Sequence, residues 1–347
     1  MSVDRGGRLI AALLLPASIA FGGAAAAQDS VADFYKDKTL TIVVTTAGGT
    51  GYDYGARVFA RHFGRHLPGA PTIVVQNRPG GGGRTGAAYV YSVAPRDGTV
   101  IGAVQSFIAT DPLFEPPLLE LFDPRQFNWL GSIASTTSVA VAWHAAPVKT
   151  YPDLFNKELI VGGVGAATPM VTMPYLFRRL LGMQFKVVAG YQSGNEVNLA
   201  MERGEVQGRV DYSWHSLGAE HLDWIKEGKV NLLFQIGLQQ HKSLAHVPLV
   251  IDLAKNSDDR TILEAAFFNY EFGRALVTAP GVPANRLGAL RRAFTETMND
   301  SGFLKDAAAS NLEVNPVSAE RLQGLVQRAY NFPPELIART VDLQKRD

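Results

Sequence analysis

The residues with the most chemical potential sit in glycine-rich turns. Gly48-Gly49-Thr50-Gly51 follows an apolar, β-branched run, Leu40–Thr46. It precedes a segment with Ala56, Phe59, Ala60, Phe63 and Leu67 at helical spacing. Free backbone N–H groups beside a helix start form a natural anion site. A small-ligand loop and a plain turn both fit this pattern. A dinucleotide fingerprint fits badly, because Gly49-x-Gly51-x-x-x-Gly55 has one residue too many. The next strand also ends in Asn77-Arg78, where an acid for the ribose is wanted. A second run, Gly80-Gly81-Gly82-Gly83, lacks the Gly-Lys-Ser/Thr of a Walker loop. It suits either a phosphate cradle or a close approach of chain to chain.

Other reactive groupings are weaker. His62 and His66 lie four apart on a predicted helix, but without the Glu of His-Glu-x-x-His. With Arg61 and Arg65 they read as a basic helix end that complements the macrodipole, so no metal site is expected. Gly190-Tyr191-Gln192-Ser193-Gly194 has its Ser one place late for a nucleophile elbow. Ser193 with Glu196 reads instead as a capping box. Asp53 and Asp211 could pair only through the fold, and Asp53 suits a dipole partner at a helix start. No catalytic residue is assigned. Tyr191 and Tyr212 follow strands and are pocket candidates.

These residues need elements to hold them. The runs Leu40–Thr46, Thr72–Gln76 and Thr99–Val104 are predicted strands separated by helical segments, a β-loop-α pattern that favours a parallel α/β sheet. The theme recurs in Ser138–Trp143, Leu159–Val164, Phe185–Ala189, Val206–Val210 and Val230–Ile236. Thr168-Pro169 marks a helix start, with Pro174 expected to kink or delay that helix. The final third has a strand, Arg274–Thr278, and helices, one with Leu287, Leu290, Phe294 and Met298 on one face. Two α/β halves with glycine turns at their strand ends suggest two lobes facing a cleft.

Composition narrows the classes. The chain has 347 residues, a formal charge of +1 and no cysteine. That removes disulfides, Cys-ligated metals and thiol nucleophiles. No basic excess or charge block suggests nucleic acid. Arg5 and Arg8 precede an apolar run, Leu9–Ala20, and then Ala24–Ala27. That pattern is a secretory signal peptide, 1–27, cut after Ala27. A free, soluble mature protein is expected.

With these residues in view, a resemblance emerges. The Ala47-Gly48-Gly49 turn with Asp53 and Ala56-Arg57, the Val74–Gly83 block and Ala94-Pro95-Arg96-Asp97-Gly98-Thr99 resemble the opening of the tripartite tricarboxylate transporter substrate-binding proteins, or Bug receptors. Gly163-x-Gly165 to Thr168, Val188–Gly194 and Gly204-Glu205-Val206 are similar to that family's second-lobe loops. Arg274–Pro283 is similar to its closing strand and turn. The similarity runs from about Lys38 to Phe303.

The resemblance implies a two-lobed α/β periplasmic binding protein of type II, each lobe a mainly parallel sheet flanked by helices. The implied division is 28–136 plus 253–347 for lobe 1 and 137–252 for lobe 2. The protein is expected to capture a small organic acid by hinge closure and deliver it to membrane permease subunits, as a monomer without a cofactor. Carried onto this chain, the implied ligand residues are Ala47, Gly48, Gly49, Tyr52, Asp53, Gln105 and Ser106 in the first lobe. In the second they are Gly165, Ala166, Thr168, Tyr191, Gln192 and Asp211. A sensor module for a membrane partner is the alternative, and an exported hydrolase a remoter one.

Overall fold

The structure is a computed structural model, and it describes residues 1–2, 30–166 and 168–346. Residues 3–27 of the expected signal peptide lie outside the described residues. Among the described residues, no helix is long and apolar enough to cross a membrane.

Two sheets organise the chain. The first contains β1 (Thr39–Val44), β2 (Thr72–Asn77), β3 (Val100–Val104), β4 (Asn128–Ser132), β10 (Ala275–Thr278) and β11 (Val317–Ser318), in the order β11-β4-β10-β3-β1-β2. The second contains β5 (Ser138–Trp143), β6 (Leu159–Gly163), β7 (Phe185–Ala189), β8 (Gly208–Ser213) and β9 (Val230–Ile236), in the order β7-β6-β8-β5-β9. The chain passes between the sheets twice, after β4 and after β9. This is a two-lobed α/β fold.

The expectation of mainly parallel sheets needs correction, because each sheet is mixed. β1 pairs in parallel with β2 and β3, and β6 with β7 and β8. A parallel neighbour requires a crossover on the same sheet, here supplied by helices such as Gly51–Phe63. Strands beside a passage between the sheets lack that constraint. β10 is antiparallel to β3 and β4, and β5 is antiparallel to β8 and β9.

Both faces of each sheet are buried, which explains the apolar runs. Leu40, Ile42 and Val44 of β1 face Phe59, Phe63, Leu290 and Phe294, while Val43 faces Val90, Trp129 and Phe272. In β5, Ala140 and Ala142 join Phe177, Phe234 and Phe267, while Val139 and Val141 join Met201, Tyr212 and Trp224. The helix Ser257–Phe267 and Leu336 and Leu343 of the final helix, Pro334–Gln344, also pack on the core of the second sheet. Pro174 lies within the continuous helix Pro169–Leu181, which it neither ends nor delays.

No element is expected between Gln105 and Thr137, yet β4 lies there. Gly131 lets it fit: φ is +145°, and a Cβ would meet the Phe294 ring at 2.2 Å. The glycine run also has a conformational explanation. Gly80, Gly81, Gly82 and Gly83 all have positive φ, and a Cβ on Gly83 would lie 2.0 Å from Gln105 Oε1. Close approach at Gly80 and Gly83 and the positive φ of all four give this run a conformational role.

His62 and His66 are held by distant acids. Their Nε2 atoms lie 2.9 Å from Asp306 Oδ2 and 2.7 Å from Asp300 Oδ2. Arg61 and Arg65 bind the same two carboxylates. This network ties the Gly51–Phe63 helix to the Ser301–Ala309 helix.

The first glycine turn is held from within. Asp53 is buried. Its Oδ2 accepts from Gly49 N–H at 2.9 Å, and its Oδ1 accepts from Arg57 Nε and Asn77 Nδ2, each at 2.9 Å. Thr50 caps the helix by accepting from Asp53 N–H, and Asn77 also donates to Thr46 O. Burial raises the Asp53 pKa, but the bonds from Arg57, Gly49 and Asn77 outweigh it and hold the group below its ordinary value.

Two stability predictions follow from this packing. Asp53→Ala lowers stability at pH 7 by about 2–3 kcal/mol in urea unfolding, since it strands charge-assisted partners. A lowered folded pKa gives stability that is present above the ordinary aspartate pKa and lost as pH falls through the folded value. The gap between wild type and variant therefore narrows as pH falls below the ordinary aspartate range; a gap that stays constant disproves the network's ionic character. Gly131→Ala costs about 1–3 kcal/mol through overpacking against Phe294, read as a lower melting temperature.

Candidate ligand-binding site

The carboxyl ends of β6 and β7 open into two adjoining loops. Gly190 N–H donates to Gly163 O at 3.1 Å and Val164 O at 3.0 Å, closing one loop onto the other. From the first loop rises the Pro169–Leu181 helix, with Thr168 as N-cap. The Thr168 hydroxyl donates to Gly165 O at 2.8 Å. From the second rises the Gly194–Glu202 helix, where Ser193 Oγ accepts from Glu196 N–H. Glu196 Oε2 accepts from Gln192 N–H at 2.7 Å, one residue before the capping residue. The capping box expected at Ser193 is thus present in shifted form.

A cavity of about 360 Å³ lies against these helix starts. Pro169, Gly194 and Asn195 line it from the helices, and Arg209, Asp211, Tyr212 and Ser213 from β8. Thr136 comes from the first passage between sheets, Ser138 from the start of β5, Asn269 and Tyr270 from the return, and Ser106 from just beyond β3. The cavity therefore touches both sheets and both connecting segments.

A β-bulge shapes its wall. Val139 pairs with Tyr212 and Val141 with Arg209, so β8 holds one extra residue at Val210-Asp211. Asp211 takes φ +58°, a left-handed conformation that Asp tolerates better than most residues. The bulge brings Arg209 onto the same side as Tyr212, with the guanidinium 3.8 Å from the ring centroid. Arg209 also donates to Asn198 Oδ1 at 3.0 Å and Gly194 O at 3.3 Å, while its enclosed Nε has no partner. Burial lowers the Arg209 pKa, but a guanidinium remains charged at neutral pH.

Asp211 Oδ1 accepts from the Tyr270 hydroxyl at 2.6 Å. Burial raises the Asp211 pKa, against bonds from Tyr270 and Ser138 and the charge of Arg209. Burial likewise holds the Tyr270 hydroxyl well above 10, so it stays protonated and acts as donor. Glu220 stands at the rim, 3.4 Å from the Tyr212 hydroxyl.

Among the sequence-derived site residues, Ser106 and Asp211 line this cavity. Gly165, Ala166, Thr168, Tyr191 and Gln192 occupy the two adjoining loops, which reach it through their neighbours Pro169 and Gly194. The Tyr191 ring packs with the core that holds Met201 and Trp224. Ala47, Gly48, Gly49, Tyr52 and Asp53 are not among the lining residues. The Tyr52 hydroxyl accepts from Ser106 N–H at 3.3 Å, and the Asp53 oxygens are engaged within their own loop. Gln105 adjoins Ser106, and its enclosed Oε1 has no partner. Arg209 was missed, although its place two residues before Asp211 on a strand was a readable signal. Asn269 and Tyr270 come from a distant segment and gave no such signal.

The arrangement can hold a small ionised ligand. Two helix N-termini and one guanidinium provide positive charge, and hydroxyls and amides surround them. Among the described residues, no group of three or more His, Asp and Glu is placed to hold a metal.

Comparisons with known proteins bear on the fold and the family. A relative from Cupriavidus necator, the UPF0065 protein in the gbd 5' region, is 25% identical over 308 residues, covering 86% of each chain. The fold is similar to that of a TctC solute binding protein from Polaromonas, with a TM-score of 0.69 at 18% identity, covering 88% of this chain and 99% of that one. It is also similar to R. palustris Rpa4515 with adipate, with a TM-score of 0.55 at 19% identity, covering 88% and 97%. The family profile described as "tripartite tricarboxylate transporter family receptor" matches residues 56–340, most of the sequence. With the two-sheet fold and the cavity at the connecting segments, that match establishes that the chain belongs to the tripartite tricarboxylate transporter receptor family.

Proposed function

We propose that this chain is a periplasmic solute receptor that captures a small carboxylate between its lobes and passes it to the membrane subunits of a tripartite transporter. The observation that carries this reading is the cavity lined by Arg209 and the starts of the Pro169–Leu181 and Gly194–Glu202 helices. Backbone N–H groups and a guanidinium are the groups that bind carboxylates well. Family membership and the adipate named for a fold neighbour support the same ligand class.

The lobes in this reading meet at the segments near Thr136 and Tyr270, and the Ser257–Phe267 and Pro334–Gln344 helices count with the second lobe by their core. Closure about these segments brings the Ala47–Asp53 turn and Gln105-Ser106 toward the second-lobe loops. Ligand contacts made only in the closed form then shift the population toward it.

The test is titration calorimetry of the exported protein against small mono-, di- and tricarboxylic acids, with and without 2-amino groups. At least one acid binds the wild type, and Arg209→Gln weakens it by about tenfold or more. The circular dichroism and melting temperature of the variant are recorded alongside, to separate lost binding from lost folding. An Arg209→Gln protein that folds and binds with unchanged affinity moves the site elsewhere. A wild type that binds no acid in the panel overturns the reading.

A further inference from the structure

The charges around the cavity do not suit a ligand that is only an anion. Arg209 is one cation, and Asp211 and Glu220 are two carboxylates. Tyr212 and Tyr270 are the other titratable groups on the wall, and both are protonated phenols at neutral pH. Arg209 does not neutralise Asp211 by contact. The guanidinium spends its bonds on Asn198 and Gly194 and stacks on Tyr212. Asp211 takes its bonds from Tyr270 and Ser138. Opposite charges therefore stand at one small cavity without being paired to each other.

Asp211 is also held there by design of the backbone. The extra residue in β8 turns it out of the strand's alternation, and its left-handed φ is a conformation most side chains avoid. Tyr270, 7% exposed, fixes the carboxyl with a 2.6 Å bond to one oxygen. Ser138 adds a second bond from the protein, and a carboxylate has room for further donors. A ligand made only of carboxylates meets like charge at this wall, whereas a cationic donor completes it.

Resting on the receptor reading above, we propose that the ligand is a small amino acid in the broad sense: a carboxylic acid that also carries a protonated amine. Its carboxylate lies toward Arg209 and the start of the Gly194–Glu202 helix, and its ammonium lies against Asp211. The cavity volume, about 360 Å³, suits an acid of a few carbons. Asn269, whose enclosed Oδ1 has no partner, adds acceptor character on the same side as Tyr270.

Matched probes decide the matter. Adipate, 2-aminoadipate and N-acetyl-2-aminoadipate are titrated into the full exported protein by calorimetry, with succinate and aspartate as a shorter pair. The expected result is that each free amine binds at least tenfold tighter than its partner without one. Acetylation, which removes the ammonium charge, abolishes that advantage. In Asp211→Asn the ratio between amine and des-amino acid falls to within threefold of one. If that variant does not fold, the acetylated probe makes the same comparison on the wild type. Des-amino acids that bind as tightly as their amines overturn this inference and leave the receptor reading intact. So does an amine preference that survives in folded Asp211→Asn. If no acid of either kind binds, both readings fall together.

Discussion

Tyr270 is hydrogen-bonded at both ends, and the geometry of the cavity depends on it. Its carbonyl accepts from Thr136 N–H at 2.6 Å, which joins the outgoing and returning connections between the two sheets. Its hydroxyl donates to Asp211 at 2.6 Å, which fixes the bulge of β8. The ring itself is buried beside Phe267, with the two rings edge to face. One side chain thus couples the connecting segments to the strand that carries Arg209 and Asp211. Burial keeps its proton in place across the physiological range, so the bond persists as a donor-to-carboxyl contact.

The two sides of the molecule use polar groups differently. In the first turn, Thr46, Thr50, Asp53, Arg57 and Asn77 satisfy one another, so their polarity sets the shape of the loop. Around the cavity, Arg209 Nε and Asn269 Oδ1 are enclosed without partners. Buried polar groups are nearly always satisfied, so these two atoms leave polarity free on the cavity wall. The chain as a whole carries a charge of only +1, so attraction of a charged ligand falls to these local groups and helix ends and not to a long-range field.

Much of the frame was legible. β1, β2 and β3 follow from β-branched runs, and the Thr168-Pro169 and Ser193-Glu196 pairs mark helix starts that are present. Ser106 and Asp211 were assigned by likeness of motif and do line the cavity. Other features were out of reach. β4 reads as no element because Gly131 sits inside it, and only the Phe294 ring explains why glycine is there. His62 and His66 suggested a simple basic helix end, while their acids stand more than 230 residues away. Asp53 reads as a dipole partner, and as a ligand residue by resemblance, yet its oxygens are engaged by three donors within its own neighbourhood.

The sequence by itself determined most of the elements, their order and the family. Those depend on local propensities, on periodicity and on motif spacing, all of which act over short stretches of chain. Tertiary structure decided which polar groups remain available. It placed Arg209 over Tyr212 through a single-residue bulge, and it brought Tyr270 to Asp211 from 59 residues further along the chain. The physical reason is that hydrogen-bond satisfaction and desolvation belong to neighbours in space. A residue's type states what it can bind, and only its surroundings state what it has left to bind with.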